Sequence, residues 1–214
     1  MTGKNDMKIL FYGDSITDAG RDREIAEPNK KLGSGYVAYA ANRLYDESLT
    51  SYDIYNRGIS GNRIVDLYSR IKIDCWNLEP DVLSILIGIN DIWHEVSRKN
   101  GVELDRFENI YRLLLKETRE RLPDTKIMLC EPFVLLGSAT EAAFDRFSEV
   151  KKYAEVVKKL ADEFLATFVP LQSAFDKAGE ECGNSEILAD GVHPTLKGAV
   201  VLGNEWLKAF RTLV

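Results

Sequence analysis

The chain has 214 residues and a formal net charge of -6, with 28 basic and 34 acidic side chains. That length suits a substantial core, so we predict a single domain over residues 1–214. The negative balance gives no electrostatic reason to bind nucleic acid or an anionic membrane surface, and no apolar run approaches the roughly 18 residues of a membrane-spanning helix, so we expect neither partner.

Apolar runs of strand length alternate with longer amphipathic runs along the chain. Two of the longer runs, over 150–164 and 199–213, repeat their apolar residues at helical spacing. The alternation predicts an α/β fold, with a parallel sheet of five strands and helices on both of its faces. The strand candidates are, in chain order, 8–13, 53–56, 82–87, 126–131 and 166–171.

Polar motifs follow four of these predicted strands or their connections. Ser15 comes directly after the first strand, Gly61 after the second, Asn90 after the third, and His193 in the connection after the fifth. Ligands of open α/β sheets bind at the carboxyl ends of the strands. We therefore expect the four motifs to converge on one edge of the sheet.

Ser15, His193 and Asp190 have the chemistry of a nucleophile, a base and an orienting carboxylate. A hydroxyl attacks at neutral pH when a base within hydrogen-bond reach takes its proton, and a carboxylate fixes the tautomer of that base. The chain has two histidines, and only His193 follows an aspartate on a tight predicted turn. We predict His193 as the base, and His94 as a surface or pocket-lining residue.

Attack on an ester carbonyl creates an oxyanion, which needs preorganised hydrogen-bond donors. The backbone N–H groups of Ser15 and Gly61 and the side-chain amide of Asn90 are the candidates for this oxyanion hole. Each motif alone also has a structural interpretation, as a turn at Ser15 or Gly61, a cap at Asn90, or a helix start after His193. The four motifs together favour catalysis.

Asp14 and Trp93 lie beside the catalytic candidates in sequence, and we predict that they bind the substrate. Trp93 suits either a platform for a sugar ring or a packing role. Asp14, like Asp91, also suits a role in orienting its loop through hydrogen bonds to the backbone. Asp14, Asp18 and Asp91 lack a nearby set of histidine ligands, so we predict no metal site.

The three cysteines, Cys75, Cys130 and Cys182, show no paired spacing. An odd, unpatterned set is typical of reduced thiols. The residues before the first predicted strand contain no long apolar region of the kind found in a secretory signal. We therefore predict a cytoplasmic protein.

The motifs resemble, in order, the four conserved blocks of the SGNH hydrolase superfamily, the GDSL-type esterases and lipases. The resemblance implies a three-layer α/β/α sandwich of the flavodoxin-like type, with no metal or organic cofactor. It also implies Ser15 as the nucleophile, His193 as the base, Asp190 as its partner, and Gly61 with Asn90 in the oxyanion hole. The matching segments are Gly13-Asp14-Ser15-Ile16-Thr17, the glycine block 59–62, Gly88-Ile89-Asn90-Asp91 and Asp190-Gly191-Val192-His193.

A narrower resemblance concerns the substrate. Segments 14–21, 32–39, 56–62 and 87–93 are similar to those of the intracellular bacterial acetyl-xylooligosaccharide esterases of this superfamily. That group removes acetyl groups from short sugar chains, and its members can form large homo-oligomers, which leaves a homo-oligomer open for this chain. One departure is Ala189, where that group tends to carry a tryptophan.

The function predicted from these motifs is a serine esterase that forms and hydrolyses an acyl-enzyme. The resemblance implies acetyl esters of carbohydrates as its substrates. Two alternatives stay open at this point. One is a lysophospholipase or thioesterase that uses the same residues on longer acyl chains. The other is a carbohydrate-binding or interaction protein without catalytic activity.

Overall fold

The computed structural model describes residues 6–23, 30–49 and 51–213. Five parallel strands form one sheet in the order β2-β1-β3-β4-β5, which confirms the predicted α/β fold. Each predicted strand end lies within two residues of the observed one. The strands are β1 (Met7–Gly13), β2 (Tyr52–Gly58), β3 (Val82–Leu86), β4 (Lys126–Cys130) and β5 (Thr167–Val169).

Ten α-helices occur within the described residues, together with two short 3₁₀ turns. They are α1 (Ser15–Asp18), α2 (Tyr36–Glu47), α3 (Ile64–Asp74), α4 (Ile89–Arg98), α5 (Leu104–Arg121), α6 (Phe144–Phe147), α7 (Val150–Glu163), α8 (Gln172–Cys182), α9 (Asn184–Ile187) and α10 (Leu196–Phe210).

The internal strand β1 shows how the sequence builds three layers. Successive side chains of a strand point to opposite faces of the sheet. Phe11 packs against Trp206 of α10, with ring centroids 4.7 Å apart, whereas the Tyr12 hydroxyl on the other face donates to the Leu67 carbonyl of α3 at 2.6 Å. Helices α2, α8 and α10 pack together on the first face, and α3, α5 and α7 on the second.

The helical periodicity over 150–164 and 199–213 corresponds to α7 and α10. Helix α10 begins after Thr195, whose hydroxyl accepts a hydrogen bond from the Gly198 N–H at 3.2 Å. It ends at Phe210, so Leu213 lies beyond the helix although it continues the apolar spacing. In the described part of the chain, no helix has the length and apolar character needed to cross a membrane.

The strand order places a switch point beside β1. The chain passes from β1 to β2 on one side and later to β3 on the other, so the connections leave β1 and β3 in opposite directions. A crevice opens at the carboxyl ends of strands where the order reverses in this way. Ser15 follows β1 and Asn90 follows β3, so both lie at that crevice.

Candidate active site

Ser15 lies in the tight connection between β1 and α1. The Asp14 carboxylate caps α1 by accepting a hydrogen bond from the Ile16 N–H at 3.0 Å. Backbone N–H groups in the first turn of a helix have no partner within the helix. Ser15 is partly exposed, whereas Asp14 and Ile16 are buried. This turn therefore offers both the hydroxyl and the N–H of Ser15 at the carboxyl edge of the sheet.

His193 and Asp190 lie in the turn before α10, next to Ser15. The Ser15 Oγ is 2.9 Å from His193 Nε2, and His193 Nδ1 is 2.8 Å from Asp190 Oδ2. Asp190 Oδ1 accepts hydrogen bonds from the N–H groups of Val192 and His193, at 2.9 and 2.8 Å. Burial favours a higher pKa for Asp190, but these hydrogen bonds outweigh it and hold the pKa below its ordinary value.

Gly61 lies in the loop that follows β2, and Asn90 lies in the first turn of α4, which follows β3. Gly61 has a φ of 83°, a left-handed conformation that glycine adopts without strain. The Asn90 Nδ2 donates to the Asn62 carbonyl at 3.1 Å, and an amide has a second N–H for another acceptor. The Ile59 N–H donates to the Gly13 carbonyl at 3.0 Å, which ties the β2 loop to the turn before Ser15.

The Asp14 side chain is completely buried, and substrate contact by Asp14 stays a prediction. Its loop-orienting alternative agrees with the hydrogen bond to Ile16. Asp91 is similarly buried, and its Oδ1 accepts from the Ile64 N–H at 3.1 Å. Burial raises the pKa of Asp14 to about 7 and raises that of Asp91 well above its ordinary value. Asp14 and Asp91 therefore each accept a hydrogen bond from a backbone N–H group and hold the backbone around the site in place.

Trp93 lies beside the histidine of this site. Its ring centroid is 5.7 Å from that of His193 and 5.7 Å from that of Phe147, so Trp93 contacts both rings. Substrate contact by Trp93 stays a prediction. His94 is separate from the Ser15 hydroxyl and lies beneath Gly61, where an added Cβ would be 4.0 Å from His94 Cε1. Burial and two neighbouring arginines lower the pKa of His94.

A pocket of about 210 Å³ opens at Ser15 and His193. Ser34, Tyr36 and Leu196 also line it. Its volume is below the range of about 300–1,000 Å³ that is usual for sites of larger ligands. A groove of about 860 Å³ is lined by residues of α7 and α8 and does not include the Ser15 hydroxyl. The lining of the pocket at Ser15 includes His193 but none of Gly61, Asn90 and Trp93.

Sequence reasoning missed residues that hold the β2 loop in place. The Asp18 carboxylate accepts hydrogen bonds from the N–H and the hydroxyl of Ser60, at 3.0 and 3.1 Å. Asn62 supplies the carbonyl that Asn90 binds. These contacts join residues 42 and 28 positions apart in the chain, so no local pattern could have indicated them. The described residues include no group of three or more acidic, histidine or cysteine side chains placed to hold a metal ion.

Comparison with known proteins provides evidence independent of this geometry. The model of the GDSL-like Lipase/Acylhydrolase family matches residues 11–201, which is most of the chain. The chain belongs to this GDSL-like family. As a GDSL-type protein it is a carboxylic ester hydrolase, and the resemblance drawn from its motifs is confirmed.

Two relatives of this GDSL-type chain are informative. An acetylxylan esterase from Geobacillus stearothermophilus is 35% identical over 209 residues, which cover 94% of this chain and 92% of the relative. A solved structure of that esterase has a TM-score of 0.85 at 34% identity, over 95% of this chain and 93% of the other. A protein from Parabacteroides merdae, described as a GDSL-like lipase, has a TM-score of 0.89 at 44% identity, over 96% of each chain.

The acetylxylan esterase has also been solved as catalytic mutants. In three of them alanine replaces a serine, an aspartate or a histidine. Ser15, His193 and Asp190, which hydrogen-bond in series at the carboxyl end of β1 in this GDSL-type chain, are of the same three residue types.

Proposed function

We propose that the chain is a serine esterase that removes short acyl groups, acetyl above all, from carbohydrates such as acetylated xylooligosaccharides. The observation that carries the proposal is the hydrogen-bonded series from Ser15 through His193 to Asp190, with separations of 2.9 and 2.8 Å. The similarity to an acetylxylan esterase supports the substrate class.

In the proposed mechanism, His193 activates Ser15 and then protonates the leaving group. Nε2 takes the Ser15 proton as Oγ attacks the acetyl carbonyl carbon, and Asp190 stabilises the imidazolium that forms. The tetrahedral intermediate collapses when His193 donates that proton to the sugar oxygen, and the acetyl group stays on Ser15. A water molecule, deprotonated by His193, then attacks the acyl-enzyme and releases acetate.

The oxyanion of each intermediate is assigned to three donors. They are the N–H groups of Ser15 and Gly61 and the Nδ2 of Asn90. The helix start at Ser15, the left-handed φ of Gly61 and the anchoring of Asn90 on the Asn62 carbonyl support this assignment. Donors that are held in place before the reaction stabilise the developing charge without having to reorganise.

Two broader features belong to the same proposal. A cytoplasmic location is supported by Cys75, Cys130 and Cys182, all of which are free thiols as in a reducing compartment. A homo-oligomer rests on the narrower sequence resemblance alone.

The test is to measure kcat/KM on aryl esters of increasing acyl length, from acetyl to decanoyl, and on acetylated xylooligosaccharides. We expect the acetyl ester to be the best aryl substrate and Ser15→Ala to lower kcat by about a thousandfold or more, because the hydroxyl acts together with the base as one unit.

The matched control is Ser48→Ala. Ser48 lies at the end of α2 and hydrogen-bonds Ser51, near the amino end of β2, so the variant should keep full activity. A preference for long acyl chains would move the assignment to a lipid or thioester hydrolase. Unchanged activity of Ser15→Ala would refute the proposed nucleophile.

A further inference from the structure

Arg70 projects from α3 and hydrogen-bonds the end of β1, β2 and the loop after β2. Its side chain is only 13% exposed. The guanidinium donates to Asn62 Oδ1 at 2.7 Å, to the Arg57 carbonyl at 2.9 Å and to the Gly13 carbonyl at 3.1 Å. It also pairs with Asp74 at 2.7 Å.

The face of the Arg70 guanidinium is occupied as well as its edge. Its central carbon lies 4.3 Å from the ring centroid of Tyr12, in a cation–π arrangement. Tyr12 is itself fixed by the hydrogen bond of its hydroxyl to the Leu67 carbonyl of α3. The N–H groups of the Arg70 guanidinium are hydrogen-bonded, and its flat face rests on the Tyr12 ring. Arg70 therefore has a single well-defined orientation.

Two of the acceptors of Arg70 belong to the segments that supply the proposed oxyanion donors. The Gly13 carbonyl is two residues before Ser15, and it also accepts the hydrogen bond of the β2 loop. Asn62 follows Gly61 directly, and its carbonyl binds the Asn90 amide. One guanidinium thus connects the β1 turn with the β2 loop, and through that loop with Asn90.

We propose that Arg70 is a positioning residue for the oxyanion hole. It sets the distance between the β1 turn and the β2 loop, so that the three donors point at one place. This inference rests on the proposed esterase function. Arg70 is absent from the pocket at Ser15 and acts through Gly13 and Asn62 rather than on the substrate.

A residue that positions the oxyanion donors and a residue that only stabilises the fold predict different kinetics. An oxyanion is present in the transition state but not in the bound ester. Misplaced donors therefore lower kcat and leave KM nearly unchanged, and a shift on the order of 1 Å can reduce the rate about a hundredfold. A loss of stability alone lowers the melting temperature without that pattern.

The chain offers a matched control in Arg119 of α5. Arg119 is also half-buried, and its guanidinium also joins separate segments, by donating to the carbonyls of Thr125 at 2.6 Å and Phe164 at 3.0 Å. Thr125 precedes β4 and Phe164 follows α7, so these acceptors lie at the opposite edge of the sheet from Ser15. Arg119→Lys replaces a guanidinium by an ammonium group in the same way, but it leaves the contacts around Ser15 unchanged.

The experiment compares Arg70→Lys, Arg119→Lys and Asn62→Ala with the unmodified chain, on an aryl acetate. We expect Arg70→Lys to lower kcat about ten- to a hundredfold with KM within about twofold. Arg119→Lys should lose a similar amount of thermal stability and keep its kcat. Asn62→Ala, which removes the acceptor but keeps the arginine, should lower kcat about tenfold and should decide the question if Arg70→Lys does not fold.

A double variant tests whether Arg70 acts through Asn62. We expect Arg70→Lys combined with Asn62→Ala to lose less than the product of the two separate losses, because both remove the same contact. If Arg70→Lys and Asn62→Ala keep the kcat of the unmodified chain, as Arg119→Lys should, the role of Arg70 is overturned. The esterase proposal still holds in that case if Ser15→Ala shows its expected loss. Full activity of Ser15→Ala would overturn both.

Discussion

At the residue scale, Asp190 uses its two carboxylate oxygens for different tasks. Oδ1 holds the turn through the N–H groups of Val192 and His193, and Oδ2 receives the His193 ring. An asparagine keeps one acceptor oxygen but presents an NH₂ group where the ring needs an acceptor. The imidazole then adopts the wrong tautomer for taking the Ser15 proton.

We therefore expect Asp190→Asn to lower kcat by about a thousandfold or more while the melting temperature changes little. Asp190→Ala should lose similar activity and also destabilise the protein, because the two backbone N–H groups lose their acceptor. Steady-state kinetics and thermal melts of both variants make the comparison. An Asp190→Asn variant with nearly full activity would show that this carboxylate does not orient the base.

Residues such as Ser15, Gly61, Asn90 and His193 could be predicted from sequence because each belongs to a short motif next to a strand end. Their catalytic roles are still predictions, although the structure places Ser15 and His193 in hydrogen-bond contact. Arg70 could not be predicted, because its partners lie 57 residues away at Gly13 and 8 residues away at Asn62. An arginine on an amphipathic helix looks in sequence like any solvated charge.

At the element scale, β1, β3 and β4 were predictable because their runs are largely apolar and buried, as in strands covered on both faces. The short helix α1 was not, since four residues carry no periodicity. Its position depends on Gly58 at the end of β2, which packs directly on it. A Cβ on Gly58 would lie 2.7 Å from the Thr17 carbonyl carbon and closer still to the Asp18 nitrogen.

We expect Gly58→Ala to destabilise the protein by about 1–3 kcal/mol and to lower kcat, because rigid backbone must move and α1 begins at Ser15. The control is Gly179→Ala in α8, where an added Cβ would meet the ends of the Asn184 and Leu135 side chains. Those ends can shift, and alanine favours a helix interior. Urea unfolding and kcat on an aryl acetate separate the two. Unchanged kcat in Gly58→Ala would mean that α1 tolerates the displacement.

At the scale of the whole molecule, buried carboxyl groups give stability an unusual dependence on pH. Burial raises the pKa of Asp14 to about 7 and that of Asp91 well above normal. A group whose pKa is higher in the folded state binds its proton more tightly there. Its contribution is complete below the ordinary pKa near 4 and is lost as pH rises through the folded value.

Three other carboxylates make the protein less stable, rather than more stable, as the pH falls below 4. Burial opposes ionisation of Asp18, Asp66 and Asp190, but hydrogen bonds to their charged forms outweigh it and hold each pKa below its ordinary value. The stability that these three groups contribute is present above pH 4 and is lost as pH falls further. The two sets therefore oppose each other: Asp14 and Asp91 favour the folded state at low pH, and Asp18, Asp66 and Asp190 favour it above pH 4.

We expect the free energy of unfolding to decrease between about pH 5 and pH 8, and Asp14→Asn to remove part of that decrease, because an amide does not ionise. Since one pKa unit corresponds to about 1.4 kcal/mol, the Asp14 contribution is on the order of 2–4 kcal/mol. Urea unfolding at a series of pH values measures it, with Asp105→Asn at an exposed position of α5 as the control. If Asp14→Asn keeps the pH slope of the unmodified chain, Asp14 is already ionised when the protein folds, and its negative charge lies buried in the turn next to Ser15.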